Sequence, residues 1–123
     1  MPAFVKNLTF DCVDALRVAR FWAAALGSDV DEGSTSERAY VEPAAWGGPG
    51  IWFRGGRGPK LAPNRLHLDL RALTSMAEEV ERLAGLGATV VERFEDITVL
   101  RDPEGNEFCV EPGPGDPHPA SGR

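Results

Sequence analysis

The sequence predicts an α+β domain made of two related strand–helix–strands units in tandem, and three observations carry that prediction. Like segments recur sixty positions apart, an apolar/polar alternation opens each copy, and a capped helical stretch follows each opening strand. Asn7 and His67 begin the two alternating stretches, and Leu26-Gly27 and Leu86-Gly87 close the two helical ones. At the same offset Ala24 meets Ala84, Val30 meets Val90, Glu32 meets Glu92, and Glu42-Pro43 meets Asp102-Pro103.

In the first strand, Leu8, Phe10 and Cys12 share one face, while Asn7, Thr9 and Asp11 share the other. In the second copy Leu66, Leu68 and Leu70 oppose His67, Asp69 and Arg71. A strand with one apolar and one polar face is half-buried. Asp14 is positioned to cap the first helix, which carries Leu16, Ala19, Ala23 and Leu26 at helical spacing and stops at Gly27. Ser75-Met-Ala-Glu78 reads as a capping box for the second, with Met76, Val80, Leu83 and Ala84 as its apolar stripe and Gly87 as its stop. Three short strands complete each copy, expected near 29–32, 38–42 and 50–54 in the first, and 88–93, 96–101 and 107–111 in the second. Asp102-Pro-Glu-Gly-Asn106 is a turn sequence, with Pro and Gly where such turns favour them.

The expected organisation is a single domain over 1–112. Module one spans about 4–55, a Gly-, Pro- and basic-rich linker runs over 56–64, and module two spans about 65–112. The tail over 113–123, dense in Pro and Gly, is expected to be disordered. A length of 123 residues suits one domain with a core, and 42% hydrophobic with 26% charged residues is an ordinary globular balance. No apolar run reaches bilayer length and the first residues lack an export-signal pattern, so a cytoplasmic protein without membrane contact is expected. A net charge of −6, with Arg54, Arg57 and Lys60 as the one local basic concentration, argues against nucleic acid as a partner. Cys12 and Cys109 are too few and too far apart for a disulfide framework or a zinc-ribbon spacing.

Each helix must cover the apolar face of its own strands, so the polar faces turn toward whatever the sheets enclose. Extending the alternation puts Asn7, Thr9, Asp11, Tyr40, Trp52 and Arg54 on the enclosed face of the first module. In the second it puts His67, Asp69, Arg71, Thr98, Leu100, Glu107, Cys109 and Glu111 there, with Ile97, Val99, Phe108 and Val110 on the core side. An aromatic wall with a few ionisable groups is the make-up of a small-molecule pocket. Solvated sheet surface is the plain alternative for any one of these residues.

The segments Leu8-Thr-Phe-Asp-Cys-Val-Asp14, Phe21-Trp22 with Leu26-Gly27, His67-Leu-Asp-Leu70, Leu86-Gly-Ala88 and Asp102-Pro-Glu-Gly-Asn106 together resemble the vicinal oxygen chelate superfamily. That superfamily includes glyoxalase I, extradiol dioxygenases and bleomycin-resistance proteins, and the resemblance, nearest its glyoxalase-like subgroup, covers roughly 4–112. It implies two βαβββ modules whose mixed sheets curl into a cup, and commonly a homodimer. In the superfamily's metalloenzymes a divalent metal sits on the first and last strands of each module. Carried over, those positions are Asn7, Trp52, His67 and Cys109. Only His67 matches the His, Glu or Gln that such a site uses, so the resemblance implies a degenerate metal site and no bound cofactor. Glu111, two residues beyond Cys109, is the one substitute that could join His67 on a metal.

His67 has three readings: a residue hydrogen-bonded within the cup, a general base or ligand-binding group, or a metal ligand. Asp69 or Asp11 could fix its tautomer, making His67 and Asp69 the candidate catalytic pair. Cys109 lies between Glu107 and Glu111, which disfavour a thiolate nucleophile. The candidate ligand-binding residues are Asn7, Thr9, Asp11, Tyr40, Trp52, Arg54, His67, Cys109 and Glu111. The expected function is metal-independent binding of a small aromatic or cationic molecule. The alternatives are a metal-dependent lyase, isomerase or dioxygenase, and a ligand-sensing accessory domain.

Overall fold

The computed structural model describes residues 1–117, and the chain divides into two compact units, Met1–Lys60 and a second beginning at Leu61. The division falls inside the expected linker. Strand β1 (Asn7–Asp11), helix α1 (Ala15–Leu26), β2 (Arg38–Val41) and β3 (Gly50–Arg54) make the first unit. The second holds β4 (Leu68–Arg71), α2 (Met76–Leu86), β5 (Thr89–Arg93), β6 (Thr98–Arg101) and β7 (Glu107–Glu111). Architecture and element order are those of an α+β fold with two modules.

In the first unit the sheet order is β1-β3-β2, with β1 parallel and β2 antiparallel to the central β3. Register pairs Thr9 with Trp52 and Tyr40 with Trp52, so alternation carries Phe10, Ala39, Val41, Ile51 and Phe53 to the opposite face. There α1 covers them. Phe53 is fully buried, Trp22 of α1 nearly so, and the Phe10 ring bridges them with centroids 5.5 Å and 6.4 Å away. Burying one such side chain contributes about 1.5–3 kcal/mol. The helix starts where expected: the Asp14 carboxylate accepts from the Arg17 N–H at 3.2 Å. It stops at Gly27, whose φ of +65° lies in the left-handed region that a side chain disfavours.

The second unit repeats the plan with one more full strand, in the order β4-β7-β6-β5, again with the first strand parallel to the last. Val80 and Leu83 of α2 are buried, as are Leu100, Phe108 and Val110 of the sheet. Ala84, expected on the helix stripe, is exposed. Ser75 Oγ accepts from the Glu78 N–H at 3.2 Å, and the next orphan donor, the Met76 N–H, is taken by the Asp116 carboxylate at 2.7 Å. Gly115 N–H also donates to the Thr74 carbonyl at 2.7 Å. Of the segment expected to be disordered, 113–117 is thus tied to the start of α2, and 118–123 lies outside the described residues.

Two elements differ from expectation. The strand near 29–32 is reduced to a bridge between Val30 and Val41, because Ser28-Asp-Val-Asp-Glu32 offers one apolar residue and no face to bury. Strand β6 shows the reverse face. Its register sets Thr98 against Val110, Val99 against Cys109 and Leu100 against Phe108. Thr98 and Leu100 are therefore core residues, 1% and 0% exposed, and Val99 takes the polar face. The run Ile97-Thr98-Val99-Leu100 has no alternation of its own, so pairing with β7 decides its side. No helix among the described residues is long and apolar enough to cross a membrane.

Candidate functional site

In the first module the polar sheet face organises around Trp52. Tyr40, opposite it in register, sets its ring 4.4 Å from the Trp52 ring at a 42° tilt. Arg38, two residues earlier on the same face of β2, places its guanidinium carbon 4.5 Å from the Trp52 ring centroid. That is cation–π range, worth about 0.5–1 kcal/mol at an exposed site. The Tyr40 hydroxyl donates to Asn7 Oδ1 at 2.9 Å. It crosses Gly50 to do so: a Cβ at that position would collide with the hydroxyl and come within 2.9 Å of Asn7 Oδ1. Gly50 is therefore glycine because Tyr40 lies over it.

Next to this stack lies an open groove of about 640 Å³, formed within the first unit. Thr9, Trp52 and Arg54 supply its sheet side, and Glu37 and Arg38 its β2 side. The turn Gly55-Gly56-Arg57 closes one end, held by backbone bonds from Gly55 N–H to the Glu37 carbonyl and from Arg57 N–H to the Cys12 carbonyl. Arg54 Nε donates to Asp11 Oδ1 at 2.8 Å, and Arg57 Nε lies 3.9 Å from the same oxygen. The hydrogen bond from Arg54 holds the Asp11 carboxyl below its ordinary pKa, with the charge of Arg57 adding to it.

Of the first-module residues expected at the site, Thr9, Trp52 and Arg54 line this groove. Asn7 and Tyr40 support Trp52 instead, and Asp11 is occupied by Arg54 rather than fixing a histidine tautomer. Arg38, Glu37 and the turn 55–57 were not among the expected site residues. The signal for Arg38 was present, since it stands two residues from Tyr40 in an alternating strand.

In the second module the polar face of β4 and β7 pairs Asp69 with Cys109 and Arg71 with Glu111. Cys109 is buried, with Val99 on its other side in the ladder. His67 is exposed and lies just before β4, outside the strand. Its Nε2 is 2.7 Å from the Asn64 carbonyl. A carbonyl only accepts, so this nitrogen carries the proton, and the tautomer is set by Asn64 rather than by Asp69. Asn64 is fixed in turn, its side-chain amide donating to Asn106 Oδ1 at 3.0 Å. The buried Asp102 accepts from the backbone of Glu104 and Asn106 and from Asn106 Nδ2, at 2.8, 3.0 and 2.9 Å. The Asp102-to-Asn106 turn is thus a hydrogen-bonded box that holds the approach to β4.

This modular arrangement is matched by the family model described as the glyoxalase-like domain over residues 7–111, and the chain belongs to that family. Solved structures described as glyoxalase, bleomycin-resistance and dioxygenase family proteins share its fold. The fold is shared with a family enzyme from Burkholderia phytofirmans at TM-score 0.71 and 16% identity, covering 88% of this chain and 97% of that one. A glyoxalase-related enzyme from Fulvimarina pelagi gives TM-score 0.70 at 17% identity, covering 99% and 96%. A fosfomycin resistance protein from Listeria monocytogenes, complexed with Mn(II) and a dihydroxypropylphosphonic acid, gives 0.66 at 16%, covering 92% and 94%. No curated protein sequence matches the chain significantly.

The superfamily often uses a divalent metal, and the residues here do not fit one. Asn7 Oδ1 already accepts from Tyr40, and Trp52 has no ligating atom. In the second module His67 Nε2 is engaged by Asn64, and Cys109 would bring a soft thiolate to a site meant for oxygen and nitrogen. Among the described residues no three or more of His, Cys, Asp and Glu are grouped to hold a metal ion, Glu111 with His67 included.

Proposed function

We propose that this domain binds a small aromatic molecule, without a metal, in the groove of its first module. The observation that carries the reading is Trp52, held by Tyr40 and Arg38 at the side of an open groove of about 640 Å³, a volume typical of ligand pockets. The donor set supports it, since the first-module metal positions hold a tryptophan and an asparagine engaged by Tyr40. A cationic ligand, the other class expected from the acidic composition, is disfavoured by the lining, where three arginines stand against Glu37. A cytoplasmic setting and pairing into homodimers belong to the same reading; the buried thiols of Cys12 and Cys109 accord with the first, and sedimentation tests the second.

The test is a thermal-shift and tryptophan-fluorescence titration with simple benzene derivatives, run with and without EDTA, beside elemental analysis of the native protein. Binding that EDTA leaves unchanged and Trp52→Leu lowers at least about tenfold is the expected result. Stoichiometric metal, with binding or turnover that depends on it, overturns the reading in favour of a lyase, isomerase or dioxygenase. Ligand-dependent association with another protein would instead identify a sensing domain.

A further inference from the structure

Within that groove, and resting on the reading of it as a ligand site, we infer that the ligand is an aromatic carboxylate and that Arg38 is the residue that recognises its acid group. Arg38 is cationic and exposed, and its guanidinium has no carboxylate or carbonyl partner among the described residues. What holds it is the Trp52 ring, 4.5 Å away. Stacking uses the flat face of a guanidinium and leaves its in-plane N–H donors unspent, in the fork that matches a carboxylate. An arginine fixed by a carboxylate would have spent those donors. Arg54 shows the contrast, being committed to Asp11 at 2.8 Å.

Charge on the lining points the same way. Asp11 is held ionised by Arg54, so that pair is close to neutral at physiological pH. Arg57 shares the same Asp11 oxygen at 3.9 Å, so two arginines meet one carboxylate there. Arg38, Arg54 and Arg57 on the lining thus stand against Glu37 there and Asp11 beside it, three cations to two carboxylates. A lone anion would meet arginine alone, but the groove also presents the indole of Trp52 and a Gly55-Gly56 turn without side chains. A flat apolar body fits against these surfaces while its acid group reaches Arg38. The matching ligand is a planar ring bearing a carboxylate.

The test uses pairs of probes that differ in charge and little else: benzoate against benzamide, and 4-hydroxybenzoate against its methyl ester, with benzylamine as the cation. Titrations of the full chain follow tryptophan fluorescence and melting temperature. Each acid is expected to bind about tenfold or more tighter than its neutral partner, and benzylamine most weakly. Arg38→Gln should remove that preference, bringing each acid to the affinity of its neutral partner in the same variant, and raising salt should weaken the acids alone. Acids, amides and amine binding equally, all weakened by Trp52→Leu, would overturn the carboxylate assignment and leave the groove as a ligand site. Acids preferred to the same degree in Arg38→Gln would overturn the role of Arg38. Binding of no probe in either protein would overturn the inference and the groove reading together. Because Arg38 is exposed, the variant's unchanged melting temperature serves as the folding control.

Discussion

The two modules share a scaffold and differ on the face that the scaffold leaves polar. Each runs its first strand parallel to its last and covers the opposite face with one helix. Yet the first module gathers Asn7, Tyr40, Trp52 and Arg38 into one supported stack beside a groove, whereas the second sets Asp69 and Cys109 beside Val99. The second module's ordered polar structure lies in its turns, where Asp102 and Asn106 organise the loop that carries His67. Duplication conserves what the core needs, since burial constrains one face of every strand. The other face is less constrained by the core, and there the two modules differ.

Truncating the cores tests the shared half of this comparison and should have the largest effect. Phe53→Ala and Phe108→Ala each remove a ring that is 0% exposed, and each is expected to cost about 3–5 kcal/mol in urea denaturation. A much smaller cost for one would show that the two cores are not equivalent.

The differing half is sharpened by Gly50→Ala, which places a methyl group where the Tyr40 hydroxyl passes. A loss of about 1–3 kcal/mol is expected, with altered Trp52 fluorescence, and adding Tyr40→Ala should recover part of the loss. No recovery would mean that the clash with Tyr40 is not the cause.

The smallest effect concerns Asp11. Its folded pKa lies below the unfolded value, so its bond to Arg54 contributes fully at neutral pH and is lost as pH falls below about 4. Both side chains are about half exposed, and solvent screening keeps this contribution well under about 1 kcal/mol. Asp11→Asn should therefore flatten the acid limb of the stability curve slightly and leave neutral stability almost unchanged.

The sequence made the modules legible because burial writes itself as alternation. Leu8 and Phe10 against Asn7, Thr9 and Asp11 gave the right faces, and Asp14, Gly27 and Gly87 marked real helix ends. Strand β6 misled because Ile97, Val99 and Leu100 are all apolar, and only the register with β7 sorts them. The groove was half legible. Trp52 and Arg54 lie on the expected face, but the turn at 55–57 enters through backbone bonds to Glu37 and Cys12 that no local pattern encodes. His67 stood out by type, yet its partner is a main-chain carbonyl, which sequence chemistry does not distinguish from any other.

The contact among Asn7, Tyr40 and Gly50 also sets the evolutionary freedom of the first strand. Replacing Asn7 by a larger side chain crowds the space where the Tyr40 ring now lies, and replacing it by an apolar one leaves the Tyr40 hydroxyl without its acceptor. Replacing Tyr40 first leaves Gly50 as an unfilled gap in the central strand. The three positions are epistatic: each substitution is poor until another has been made. Change along this strand therefore favours paired substitutions, the second recovering part of the stability that the first removes.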